Sequence, residues 1–242
     1  MLHNISESHY RRKLRKFREP FNGTESWTGS ASAVDSYYSP LDNTVEIPWA
    51  LLQPPLYQPG LPRSLNFGAI GTRIAQEMAR AFGREGIYQT TEGGKMELLK
   101  HFNKSEFDTK LQCFITQYGN ISLRLSEIPV RINGKRTLEQ NLADNVGLRM
   151  AYNAYWKLLE EDCDNNDTRL DGLDKFSGKQ LFFLANAMQL CKLWNEDELL
   201  KKIAFLSTSP PKYRINVATK NLDEFSAAFN CTKSSARTCE MW

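Results

Sequence analysis

The chain has 242 residues, a formal net charge of +3, 41% hydrophobic residues and 24% charged ones. That length buries a sizeable core, and so ordinary a composition excludes a disordered or fibrous polymer. The small charge is no argument for a nucleic-acid partner, which calls for a concentrated basic face, and no run reaches the roughly 20 apolar residues that span a bilayer.

In chain order, RRKLRKFR (Arg11 to Arg18) reads as an amphipathic helix, with Tyr10, Leu14 and Phe17 on one side and the basic residues on the other. A solvated helix face accounts for the charge run; a nuclear signal or a membrane-surface patch is the alternative. The Gly/Ser-rich stretch NGTESWTGSAS reads as a loop, and AVDSYYS and TVEIP as a hairpin around Pro40 to Asn43. Prolines hold LLQPPLYQPGLP open. From Leu65 the period changes: Ile70, Ile74, Met78 and Phe82 recur every fourth residue, which predicts a helix.

A turn-rich stretch, Thr90 to Gly94, precedes helical patterns near Met96 to Phe102, Ser105 to Tyr118 and Ser122 to Glu127. Between Leu138 and Glu160, the spacing of Leu142, Val146, Tyr152 and Tyr155 predicts a long core helix. GKQLFFLANAMQLCKLW is apolar nearly all round and reads as buried, with Phe182 and Trp194 in the core. Asp197 to Phe205 and Asp223 to Phe229 complete the helices. The expected fold is mainly α with a small β-sheet near the N-terminus (α+β): a basic helix and loop over 1–32, then one domain over 33–242.

Two features bear on compartment. Asn4, Asn22, Asn103, Asn120, Asn166 and Asn230 each head an N-x-S/T triplet without proline, which leans towards a secretory history. The cysteines, Cys113, Cys163, Cys191, Cys231 and Cys239, are odd in number, so at least one is free, intermolecular or lacks its partner. The N-terminus has no apolar signal-peptide centre, and the combination suggests a chain whose beginning is missing.

Four blocks, in order along nearly the whole chain, carry a resemblance: SAVDSYYSPLDNTVEIPWALLQPPLY, SLNFGAIGTRIAQEMARAFG, TLEQNLADNVGLRMAYNAY and the closing STSPPKYRIN…AFNC…C.MW, with Met241 where valine is usual. Together they resemble the neprilysin and endothelin-converting-enzyme family of zinc metallopeptidases. The resemblance implies a thermolysin-like catalytic lobe. In that lobe two histidines one helical turn apart and a more distant glutamate hold zinc, a glutamate beside the first histidine acts as general base, and a histidine and an arginine stabilise the oxyanion. It also implies a membrane anchor and a large helical lobe elsewhere in full-length members. Cys113 should pair with Cys239, Cys191 and Cys231 match cysteines whose partners lie upstream, and Cys163 matches nothing.

Carried over position by position, the resemblance places Gln76 and Arg80 where the two zinc histidines stand, Gln140 at the third ligand and Thr208 at the oxyanion histidine. Glu77 keeps the general-base position, Asp144 an aspartate supporting the zinc site, and Arg214 the oxyanion arginine. Gly83 stands where the family has a second supporting aspartate, while Asp35 and Ser36 replace the residues that bind substrate backbone. Carboxamides are poor zinc ligands and a guanidinium repels the cation, so zinc is expected to be lost and no other cofactor is implied. His3, His9 and His101, the only histidines, lie outside the ligand positions. Arg80 is expected either to replace the metal electrostatically, against Asp144 or Glu77, or to point to solvent.

The resulting expectation is a catalytically inactive homologue of a neprilysin-like metalloendopeptidase. It would bind an extended peptide along an edge strand around Val34 to Tyr38, with Asp35, Ser36 and Arg214 in contact, or pair with an active relative. No nucleic acid or membrane segment is expected in this chain, and sequons and resemblance together place it outside the cell or on the luminal side of a membrane. Residual peptidase activity through an unconventional metal site is one alternative; a truncated fragment without independent function is another.

Overall fold

The computed structural model describes residues 2–16, 30–41, 43–84, 86–88, 103–232 and 238–242. Asn22, Phe17, His101, the turn at Thr90 to Gly94 and the helix expected over Met96 to Phe102 lie outside these residues. The chain divides into two compact units, Met1–Ser30 and Ala31–Trp242. The first holds helix α1 (Leu2–Lys16), on which Arg11 pairs with Glu7 at 2.6 Å and Tyr10 and Leu14 are both exposed.

The second unit opens with a hairpin, β1 (Tyr37–Ser39) against β2 (Thr44–Glu46), in the register Tyr37 to Glu46. The strand is shorter than expected: Val34 to Ser36 precede it without pairing in the sheet. A helix then begins at α2 (Arg63–Asn66), widens into a π-helical turn at Phe67–Gly71 and continues as α3 (Thr72–Arg80).

The period of α3 was legible but its inward face was not. Met78 and Phe82 are exposed, while Thr72, Ala75, Gln76, Glu77 and Ala79 are buried. The inward face carries Gln76 and Glu77, and Arg80, which bonds Glu77, reaches a glutamine on another helix, so an apolar stripe does not mark it.

That other helix is α5 (Leu138–Asp162), the central element, against which α3, α4 (Lys104–Gly119) and α8 (Pro211–Lys220) pack. Its N-terminal half, Leu138, Leu142 and Val146, meets Phe107, Leu111, Phe114 and Tyr118 of α4. Its C-terminal half, Leu148, Tyr152, Tyr155 and Leu159, meets Phe182 and Phe183 of α6 (Gly178–Met188). Here Tyr155 stacks on Phe182 with ring centres 5.6 Å apart and Tyr152 on Phe183 at 5.5 Å. Helix starts follow local chemistry: Asn103 caps α4, and Ser177 with Gln180 forms a capping box on α6.

Two further expectations need correction. Ser122 to Glu127 is not helical: β3 (Ser122–Leu125) and β4 (Ile128–Arg131) form a second hairpin. Its two turn residues, Ser126 and Glu127, both have positive φ (46° and 66°), the geometry that suits a two-residue hairpin, without the Gly or Asn that would announce it. The turn is held from outside, since Ser126 donates from its backbone to Glu196 and from its hydroxyl to Asp197. Those acids begin α7 (Glu196–Lys202).

The apolar run after Gly178 leaves the helix at Met188. Met188 and Leu193 are exposed, and Trp194, expected in the core, is half-buried beside a cavity. Helix α8 carried no expectation. Its Pro211 sits at the first helical position, where a missing N–H costs nothing, so a Pro-Pro pair that reads as a breaker starts a helix. A short α9 (Asp223–Ala228) follows, and a disulfide joins Cys113 to Cys239, fastening the C-terminal segment to α4. Among the described residues Cys163, Cys191 and Cys231 are free.

Candidate functional site

The site forms where α3 crosses α5. Gly147 sets the distance: a β-carbon there would lie 2.7 Å from the Gln76 backbone nitrogen and 2.8 Å from its Cα, closer than side chains allow. The approach buries Gln76, Glu77, Gln140 and Asp144 together.

Buried polar groups need partners, and Glu77, Gln140 and Asp144 are joined through two arginines and a serine. Ser36 Oγ donates to Glu77 Oε1 at 3.3 Å, and Arg80 Nε donates to Glu77 Oε2 at 2.9 Å. Arg80 Nη2 donates to Gln140 Oε1 at 2.6 Å, and Gln140 Nε2 donates to Asp144 Oδ1 at 2.8 Å. Arg214 on α8 closes the series, its Nε and Nη2 each 2.8 Å from an Asp144 oxygen. One continuous chain of bonds thus runs from the segment before β1, through α3 and α5, to α8. It contains two carboxylates and two guanidiniums, so its formal charges cancel.

The electrostatics reflect that balance. Burial alone would lower the Arg214 pKa, but the charge and hydrogen bonds of Asp144, with smaller contributions from Tyr118 and Glu77, carry it above the ordinary guanidinium value. Tyr118 is pushed up by burial first and by the Asp144 charge second, against the opposing effects of its bond from Asn145 and the charge of Arg214.

Of the other positions singled out by sequence, Asp35 is exposed and pairs with Arg73 at 2.9 Å. Thr208 is half-buried in the wall of a cavity that Asp35 and Arg214 also line. Gly83 faces Glu139: a β-carbon there would lie 2.8 Å from Glu139 Oε2, so the space beside Gly83 is already taken by a carboxylate. Arg73 and Glu139 were not anticipated. Arg73 was within reach of helical periodicity, because it precedes Glu77 by four residues and Arg80 by seven; nothing local marks Glu139.

The profile of peptidase family M13 matches residues 35–241. The chain belongs to peptidase family M13. It is 35% identical over 235 residues to mouse membrane metallo-endopeptidase-like 1, covering 96% of this chain and 30% of that protein. It is 33% identical to a Locusta migratoria endothelin-converting enzyme homolog, covering 98% of this chain and 32% of the relative. This M13 chain therefore spans about a third of the length of the curated relatives it matches.

Among solved structures, the Mycobacterium tuberculosis zinc metalloprotease Zmp1 in complex with inhibitor superposes with a TM-score of 0.83 at 26% identity, over 97% of this chain and 36% of that one. A Haemonchus galactose-containing glycoprotein complex superposes with a TM-score of 0.85 at 26% identity, over 96% and 39%.

The donor set of this M13 chain does not fit zinc. The positions at which the resemblance places the ligands hold two carboxamides and a guanidinium, and zinc sites are built from imidazole, thiolate and carboxylate. Both Gln140 amide atoms are also engaged, its oxygen by Arg80 and its nitrogen with Asp144.

Proposed function

We propose that this chain is a non-hydrolytic member of family M13 that acts by holding an extended peptide in the cleft beside α3. One observation carries the reading: a guanidinium, Arg80, sits between Glu77 and Gln140. A cation fixed there compensates Glu77 and opposes a divalent ion at the same place. Glu77 has both oxygens engaged, by Ser36 and by Arg80, and a base of this kind needs a water acidified by metal. Peptide binding is supported by the cavity next to Arg214, into whose wall Val34 and Asp35 run just before β1.

Exposed sequon residues Asn103, Asn120, Asn166 and Asn230 support a secretory, extracellular or luminal placement. Among the described residues no helix is long and apolar enough to cross a membrane. Pairing with an active relative is a second route by which such a chain would act.

The deciding experiment measures zinc content by mass spectrometry after dialysis against micromolar zinc, alongside a chelator-sensitive cleavage assay on a peptide library. The expected result is substoichiometric zinc and no chelator-sensitive cleavage. One equivalent of zinc with turnover overturns the proposal.

A further inference from the structure

The cavity beside Arg214 has a volume of about 320 Å³. That is at the small end of ligand pockets and suits one residue of a peptide rather than a long segment. Its apolar wall comes from Leu51, Leu56, Leu190 and Trp194, and its polar wall from Arg73, Lys192, Arg214 and Asp35.

The three cations differ in what already neutralises them. Arg214 is committed to buried Asp144 through two bonds. Arg73 is held by Asp35, whose side chain is 85% exposed, and an ion pair with one partner in water contributes little and separates readily. Lys192 has no carboxylate partner among the described residues; its ammonium lies 5.0 Å from the centre of the Trp194 ring. Among the described residues the wall therefore carries one positive charge without a carboxylate partner, and a second that a competing anion can draw from Asp35. Two wall residues also hold buried polar atoms without a partner among the described residues, Trp194 Nε1 and Gln189 Oε1. Groups of that kind are rare in finished interiors.

Resting on the peptide-binding reading above, we propose that this cavity is a carboxylate-selective subsite. It takes a peptide residue with an apolar body and a carboxylate, which Lys192 and Arg73 engage while the body lies against Leu51, Leu56 and Trp194. The carboxylate comes from an acidic side chain or from a peptide C-terminus, and the chemistry is the same for both.

The test uses the full chain and four acetylated tripeptides: Ala-Leu-Glu and Ala-Leu-Gln, each as free acid and as C-terminal amide. Binding is followed by calorimetry at low and at physiological salt. The expected order places the Glu acid, and whichever of the Glu amide and the Gln acid carries the carboxylate that is used, about tenfold or more ahead of the uncharged Ala-Leu-Gln amide, in the range of a charge-assisted hydrogen bond, with the advantage shrinking as salt rises. Comparing the Glu amide with the Gln acid tells which carboxylate is used.

Lys192→Gln, at an exposed position, should remove most of that advantage and leave the uncharged peptide unaffected, and Lys192→Arg should keep it. Equal binding of charged and uncharged peptides, or no effect of Lys192→Gln, overturns the subsite and leaves the peptide-binding reading in place. Failure of all four peptides to bind overturns both.

Discussion

Arg80 and Glu77 lie one turn apart on the same helix, joined at 2.9 Å, and the pair is lopsided: the Glu77 side chain is 4% exposed and that of Arg80 28%. The carboxylate is the member that depends on the other. It cannot regain hydration without separating α3 from α5, whereas the guanidinium reaches towards solvent and still bonds Gln140.

Arg80→Ala should therefore cost about 3 kcal/mol, the low end for breaking a buried pair, because one charge is stranded. Arg80→Met with Glu77→Gln should recover much of the loss, since neither charge remains. Urea unfolding of the three proteins checks this, and an Arg80→Ala variant as stable as the parent would show that the pair does not balance the cleft.

Restoring the family's ligand chemistry should restore metal affinity. The triple variant Gln76→His, Arg80→His, Gln140→Glu places two imidazoles and a carboxylate on the crossing of α3 and α5, a set that suits zinc. Calorimetry should find about one equivalent of zinc in the variant. A variant that folds but takes up no zinc would mean that the helices have shifted as well as the ligands.

Gly147 should tolerate no side chain. Gly147→Ala drives a methyl against the backbone of Gln76, which is not a flexible side-chain end that can move aside. The expected loss is about 2–3 kcal/mol by overpacking, read from denaturant midpoints, whereas alanine in an ordinary helix interior would be favourable.

Stability should fall steeply above pH 10. Burial is the first cause holding Tyr118 and Tyr155 well above the ordinary phenol value, and it pushes Tyr152 up to about 12. In the unfolded chain these groups ionise near pH 10, so above that the unfolded state holds fewer protons than the native one. The contribution is complete below pH 10 and is lost at about 1.4 kcal/mol per pH unit for each tyrosine; the Tyr152 share levels off near pH 12. Unfolding free energies between pH 8 and 11, with tyrosinate absorbance as a second signal, measure the slope. A flat profile would contradict the burial argument.

What was legible in the sequence had local or regular causes. The hairpin at Tyr37–Glu46 is marked by Pro40 to Asn43, and α5 shows itself through the spacing of Leu142, Val146, Tyr152 and Tyr155. What was not legible depends on partners far away in the chain. The inward face of α3 is polar, with Glu77 held by Ser36 and Arg80 and Arg80 answered by Gln140 of α5, so Met78 and Phe82 point to the wrong side. The Ser126–Glu127 turn adopts positive φ while Glu196 and Asp197 hold it, seventy residues on. At the candidate site, the altered residue types could be read directly. Which of the two open roles Arg80 takes required the geometry, and so did the places of Arg73, Glu139 and Lys192.

Because the cation facing Glu77 is part of the polypeptide, it is delivered with every copy at synthesis and no chelator can withdraw it. Folding of a lobe whose charge balance is built from a bound ion waits on metal supply. On the non-hydrolytic reading proposed above, the same balance is complete in the translated product and should hold whatever the zinc economy of the compartment it occupies.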